Sequence, residues 1–140
     1  AHQESTLLSI EDGLCNKIMI DATVPLMPPK VMRVQLPKIG SAALNAQAIL
    51  GENTTVVSAF QNISAELLQT DADIDCDVLV AGDLIDARNT VIELAADAGL
   101  TGWHAGPLCN SVAAEALTSI LIAINKKHSL AHSGIKITGH

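Results

Sequence analysis

Aromatic side chains are almost missing from this chain. Phe60 and Trp103 are the only rings in 140 residues, and there is no tyrosine. Single-stranded nucleic acid is held by stacked aromatics over a basic groove, so that class of partner loses its usual platform. Positive charge is scarce too: eight Lys and Arg stand against fifteen Asp and Glu, for a formal charge of −7 and a pI near 5.0. Nucleic-acid binding needs a basic surface and is set aside. Cysteine is limited to Cys15, Cys76 and Cys109, an odd number with no C-x-x-C spacing. Neither a disulfide framework nor a zinc site follows from that, and free thiols in a reducing cytoplasm are expected. No apolar run reaches the roughly 20 residues of a membrane span, and no basic segment followed by an apolar run marks a signal peptide. The chain begins at Ala1 rather than Met, and the expectation is an upstream part removed, cleaved or encoded separately.

Glycine-rich phosphate loops are also lacking. The nearest candidate to G-x-G-x-x-G is Gly99, Gly102 and Gly106, which has the wrong spacing and lies around a late strand. No P-loop is present. A dinucleotide pyrophosphate therefore has no ordinary cradle here.

What the chain does have is 49% hydrophobic residues and a mean hydropathy of +0.35. That is enough for one folded domain over residues 1–140 with a core of Ala, Val, Ile and Leu. β-Branched runs at 17–21, 54–58, 77–81 and 101–104 predict strands. Ala- and Leu-rich runs at 3–13, 41–50, 63–69, 84–98 and 109–127 predict helices. Gly13, Gly51 and Gly99 stand where helices should stop, and Ser41, Asn62 and Asp83 where they should be capped. Strands this continuously apolar suit a parallel sheet covered on both faces, so the fold class is α/β. Four strands make a thin open sheet, which a partner half would complete. Residues 25–37 hold four prolines and read as an extended loop, with Lys30, Arg33 and Lys38 in or beside it. The last helix is apolar nearly all round from Val112 to Ile124, interrupted by Glu115. Such a helix is normally buried on all sides, which points to a subunit interface or a missing domain.

Candidates for side-chain chemistry are weak. Asp71, Asp73, Asp75 and Asp77 alternate as in a calcium loop, but the sixth and twelfth positions are Cys76 and Gly82 instead of Gly and Glu. A solvated acidic turn is the better reading. His128 and His132 lack a third metal ligand nearby in sequence. Cys109 beside His104 reads as a small hydrophobe ahead of a nucleophile. Three turns after strands remain, at 21–26, 58–65 and 105–111. All are rich in small residues, and ligands of open α/β sheets bind at the carboxyl ends of strands. Such residues suit the close approach of a flat ring, and they equally suit tight strand–helix turns.

Those turns resemble a known family. Asp21-Ala-Thr-Val-Pro-Leu-Met-Pro-Pro-Lys30, Arg33-Val-Gln-Leu-Pro37, Val57-Ser-Ala-Phe-Gln-Asn62, Asp75-Cys-Asp-Val-Leu-Val80 with Gly82-Asp83, Ala105-Gly-Pro-Leu108, Asn110-Ser-Val-Ala-Ala-Glu-Ala-Leu-Thr-Ser119 and Gly134-Ile-Lys-Ile-Thr-Gly139 are similar to NADPH-dependent reductases of the deazaflavin coenzyme F420. The resemblance covers essentially the whole chain but starts part-way through the family pattern. It implies the C-terminal part of a Rossmann-like, doubly wound, mostly parallel sheet, without the half that binds NADP. It further implies hydride transfer between NADPH and F420, with protein groups that position rather than react, and no catalytic side chain or metal. By the same resemblance, Thr23, Val24, Pro25, Gln61, Ile63, Ala65, Asn110, Ala116 and Ala131 line the deazaflavin pocket. At Gln61 and Ala116 other members carry His and Ser. Lys30, Arg33 and Lys38 would meet the cofactor's anionic tail or form a solvated basic loop. The isolated chain is expected to be inactive and to form a homo-oligomer through its last helix. The competing expectation is a non-enzymatic dimerisation or scaffold module built on that helix.

Overall fold

The structure, a computed structural model, describes residues 2–139. The elements run α1 (His2–Leu14), β1 (Ile18–Asp21), α2 (Ala42–Leu50), β2 (Thr55–Ser58), α3 (Ala65–Leu68), β3 (Asp77–Val80), α4 (Ile85–Asp97), β4 (Thr101–His104), a 3₁₀ turn (Leu108–Asn110) and α5 (Ser111–His128). β1 pairs in parallel with β2, and β3 with β4. The two pairs are hydrogen-bonded to each other at their C-terminal ends, where Ser58 and Ala81 exchange both backbone hydrogen bonds in an antiparallel bridge. The parallel α/β arrangement expected from the apolar runs is present, as two short pairs that touch at one end.

β2 shows why both faces must be apolar. Val56 points into a cluster with Leu7, Ala43, Ala46, Leu50 and Leu108, from α1, α2 and the 3₁₀ turn. Val57 points the other way, into a cluster with Val78, Val80, Ala87, Val91 and Ala95 from β3 and α4. Successive strand residues face opposite sides, so each helical layer receives its own row. Small residues substitute for the absent aromatics: Ala43, Ala46, Ala59 and Ala95 are fully buried. Gly102 lets α4 approach β4, since a Cβ there would stand 3.1–3.3 Å from Ile92.

Several local expectations are corrected. Ser41 caps α2 as expected, its hydroxyl accepting from the Leu44 N–H. Asn62 and Asp83 do not cap. Asn62 donates to the Ala114 carbonyl of α5, Ser64 caps the short α3 instead, and the Asp83 carboxylate accepts from the Leu108 N–H. α1 runs one residue past Gly13, and the left-handed residue that follows is Asn16, at φ 58°. Asp77 is not part of a solvated acidic turn. It is buried, and its carboxylate accepts from the Trp103 indole N–H and the Ile137 N–H. This pins β4 and the C-terminal tail to the start of β3.

α5 departs furthest from expectation. Its buried side is largely polar, comprising Ser111, Ala114, Glu115, Ser119 and Leu121, whereas Ile120 is 46% and Ile124 36% exposed. Together with the 3₁₀ turn it spans 21 residues and is long and apolar enough, by length and composition, to cross a membrane. In this fold the polar side faces inward because it serves backbone groups of α2 and of the turn after β2.

Candidate functional site

The C-terminal ends of β2 and β3 meet at the Ser58–Ala81 bridge with those of β1 and β4 paired beside them, and hydrogen bonds tie this junction together. The Asp21 carbonyl at the end of β1 accepts from the Ala59 N–H at 3.2 Å and from Gln61 Nε2 at 2.9 Å. Gln61 also donates to Ser58 Oγ at 2.7 Å. The Gln61 carbonyl accepts from Thr118 Oγ1 of α5 at 2.9 Å. On the other pair, the Ala105 N–H donates to the Val80 carbonyl and the Gly82 N–H to the Gly106 carbonyl. Gly106 is required here: φ is +89°, and a Cβ would lie 2.7 Å from Asn110 Nδ2. That amide is committed to the Ala105 carbonyl at 2.7 Å.

Two buried carboxylates brace this junction. Asp21 accepts from the Thr23 N–H at 2.7 Å, from Thr23 Oγ1 at 2.6 Å and from Gln3 Nε2 at 3.1 Å, which folds the 23–25 turn back on the strand. Glu115, 2% exposed, crosses from α5 to the start of α2. There it accepts from the Ala42 N–H at 2.6 Å and from the Ala43 N–H at 3.5 Å. A carboxylate among unpaired helix N–H groups is favourably placed. Burial nevertheless pushes its pKa above the usual carboxylate range; the two N–H groups oppose that, and Asp21 adds to it. The Ser41 and Ser111 hydroxyls, 2.7 Å apart, close the same contact. In sequence, the only mark of this role was a single charge in an apolar helix.

Two clefts flank the contact. The larger, about 510 Å³, is lined by residues 23–27 after β1, by Pro37, Lys38 and Ile39, and by Ser41, Ala42, Asn45 and Gln3. The second, about 430 Å³, is lined by Leu79, Ala81 and Ala105 at the ends of β3 and β4, by Val34 and Leu36, and by Cys109, Asn110, Val112, Ala113, Ala114 and Ala116. Between them Val24, Pro25, Val34, Gln35, Leu36, Gly40, Glu115, Ala116 and Ser119 close to about 10 Å³.

No protein-family model matches the chain. It is 40% identical over 143 residues to an F420-dependent NADP reductase of Methanothermobacter thermautotrophicus, covering 97% of this chain and 61% of that protein. It is 37% identical over 139 residues to the F420-dependent NADP reductase of Methanocaldococcus jannaschii, covering 96% and 62%. The chain is thus similar in sequence to F420-dependent NADP reductases over nearly its whole length. Its fold matches a crystal structure of a candidate F420-dependent NADP reductase from Arthrobacter sp. FB24 with a TM-score of 0.80 at 20% identity, covering 98% of this chain and 66% of that one. The chain thus spans about three fifths of the length of these reductases.

The nine positions that the resemblance assigned to the deazaflavin pocket fall into four groups. Thr23, Val24 and Pro25 line the larger cleft. Asn110 and Ala116 line the second, and Ala116 meets Val24 and Pro25 at the closed gap. Gln61 and Ile63 are buried and line neither cleft: Gln61 is spent on the β1–β2 turn, and Ile63 belongs to the core. Ala65 and Ala131 are exposed. They sit beside the Ser64–His132 hydrogen bond, away from both clefts. Asp21 and Glu115, which shape the site, are not among the nine.

Proposed function

We propose that this chain forms the deazaflavin-binding wall of an oxidoreductase that transfers a hydride between NADPH and coenzyme F420. NADP is carried by residues outside it. The observation that carries this reading is the convergence of Thr23, Val24, Pro25, Asn110 and Ala116 on adjoining clefts at the strand ends. The residues fit a flat ring. Both volumes lie within the roughly 300–1000 Å³ of small-molecule pockets, and the second is aliphatic apart from Cys109 and Asn110. When bound, the deazaflavin supplies the hydride-accepting or hydride-donating carbon. Side chains of this chain do the rest. Val24, Pro25, Ala116 and Leu79 exclude water and set the ring plane, and Asn110 is held rigid by Ala105. Glu115 ties α5 to the start of α2 between the clefts, and Asp21 holds the 23–25 turn that lines the larger one. Such a reaction draws mainly on positioning, which agrees with a site built of small and apolar groups.

β1 pairs only with β2 among the described residues. A cleft of about 410 Å³ lies beside it, lined by α1 and by Met19, Ile20 and Asp21. This edge is where an NADP-binding part adds its sheet. The outward apolar side of α5, with Ile120 and Ile124, is the surface on which a second copy packs. On this reading the chain binds F420 weakly, does not oxidise NADPH alone, and gains activity when an NADP-binding part is supplied.

The test is a fluorescence titration of F420 with the chain, alongside sedimentation. Saturable binding supports the reading. A stable dimer with no F420 binding at any accessible concentration sinks it in favour of a dimerisation module.

A further inference from the structure

Residues 26–40 differ from the rest of the fold in how they are held. No residue from Ala22 to Gly40 is buried. The hydrogen bonds of the 26–40 segment are all local. The Leu26 N–H donates to the Val24 carbonyl, Lys30 to Met27, Arg33 to Lys30 and Gly40 to Pro37, and Gln35 Nε2 donates to the Lys30 carbonyl. None of these bonds reaches a helix or a strand. A run this long without regular structure is uncommon in a compact domain and is usually functional. Firm ties lie just outside it. Thr23 is bonded to the Asp21 carboxylate, and Ser41, fully buried, bonds Ser111 and caps α2. The segment is anchored at both ends and held between them by side-chain contact alone. Gly40, at φ +109°, gives one end a residue whose backbone turns easily.

This one segment walls both clefts and forms the partition between them. Leu26, Met27 and Ile39 line the larger cleft, and Val34 and Leu36 line the second. Val34, Gln35 and Leu36 then close the gap against Glu115, Ala116 and Ser119 of α5. Their grip is partial, since Val34 is 44% and Leu36 57% exposed. What they cover is polar: Glu115 and Ser119 are both buried. Burial disfavours the charged form of Glu115, so water admitted there offsets part of the apolar contact that lifting would break. Segments with few buried contacts open locally, at far less cost than global unfolding.

We propose that residues 26–40 form a lid, hinged at 24–26 and 39–40, that lifts off α5 to merge the two clefts into one slot. It closes again over a flat ligand lying across them. The movement follows from the fold alone; that the ligand is the deazaflavin rests on the reading above. With the lid lifted, the partition at Val34 and Leu36 is gone, and a fused ring can span from the 23–25 turn to Asn110. With the lid down, the same two side chains shut water out, as lids of this kind do in enzymes.

The test puts a thiol under the lid. S119C exchanges a buried hydroxyl for a group of similar size, and A116C at the same partition repeats the measurement. Maleimide labelling, read site by site from peptide masses, compares each with the exposed Cys15. The S119C thiol should label about 10- to 100-fold more slowly than Cys15, at a rate unchanged by urea below the unfolding transition, which marks local opening. The added pair V34S/L36S, which weakens the seal at exposed positions, should raise that rate severalfold. F420 at about ten times its Kd should slow it about tenfold. Labelling that climbs with urea in step with global unfolding would overturn the lid. Labelling as fast as Cys15, or a rate that V34S/L36S leaves unchanged, would overturn it too. F420 that binds by fluorescence without slowing the label overturns closure over it and leaves the deazaflavin reading standing. Local opening with no F420 binding supports the lid and overturns that reading.

Discussion

Replacing Glu115 probes the contact that joins the two clefts. The Glu115→Ala variant leaves the Ala42 and Ala43 N–H groups without their acceptor, and both residues are buried. One good hydrogen bond is lost, together with a weak one. A buried N–H left unsatisfied costs about 1–3 kcal/mol. The same change removes a buried carboxylate whose raised pKa shows that burial works against its charged form, so the net loss sits at the low end, about 1–2 kcal/mol. For a chain of this size that corresponds to a Tm drop of roughly 3–8 °C. Glu115→Gln keeps one acceptor oxygen and should cost less than the alanine variant.

The pH dependence fixes the sign. A folded-state pKa above the unfolded value means that the native state binds the extra proton. Glu115 then adds stability that is fully present below the ordinary carboxylate range and is lost as pH rises through its raised pKa. The stability of the parent relative to Glu115→Gln should therefore fall as pH rises from the ordinary carboxylate range, then level off. Urea melts of both proteins at a series of pH values measure this directly. A difference that moves in the parent's favour with rising pH would refute the reasoning, because the two N–H bonds would then outweigh burial.

Other outcomes are expected from the same geometry. Gly106→Ala should lose about 1–2 kcal/mol from its left-handed φ and should push Asn110 off the Ala105 carbonyl; thermal melts and the Asn110 side-chain amide signals report both. Gln61→Ala should destabilise by about 1–2 kcal/mol, because the buried Ser58 hydroxyl loses its donor and the Asp21 carbonyl keeps only the longer bond from the Ala59 N–H; an unchanged denaturation midpoint would count against its role as a tie. The I120D/I124D pair should give a monomer in sedimentation whose Tm no longer depends on protein concentration, since both side chains face outward in the single chain. The chain alone should show no NADPH oxidation with F420, and mixing with an NADP-binding part should restore it, as followed by NADPH absorbance.

The parallel α/β order was legible because Val56-Val57 and Val78-Leu79-Val80 are continuous apolar runs, and such runs are stable only between two layers. Ser41 was legible as a cap because its hydroxyl meets the N–H three residues on, a local geometry. Asn62 and Asp83 have the same local chemistry, yet distant partners on α5 and the 3₁₀ turn claimed them. Asp77 looked like the end of a solvated run, and only the fold brings Trp103 and Ile137 to it across long sequence separations. The inward polar side of α5 was illegible for a similar reason. Period and hydropathy assume that polar groups seek water, whereas Glu115, Ser111 and Thr118 find backbone partners inside. Resemblance assigned Val24, Asn110, Ala116, Gln61 and Ile63 alike to one pocket, and only the fold distinguishes those on the clefts from Gln61, a tie across the β1–β2 turn, and Ile63, a core residue.

NMR chemical-shift mapping of the labelled chain during an F420 titration tests the central assignment most directly. The largest shifts should fall together on residues 23–27 and 110–116, the two sides of the Val24–Ala116 gap. Shifts confined to the unrelated cleft between Gln47 and Leu84, or spread over the surface without saturation, would contradict it.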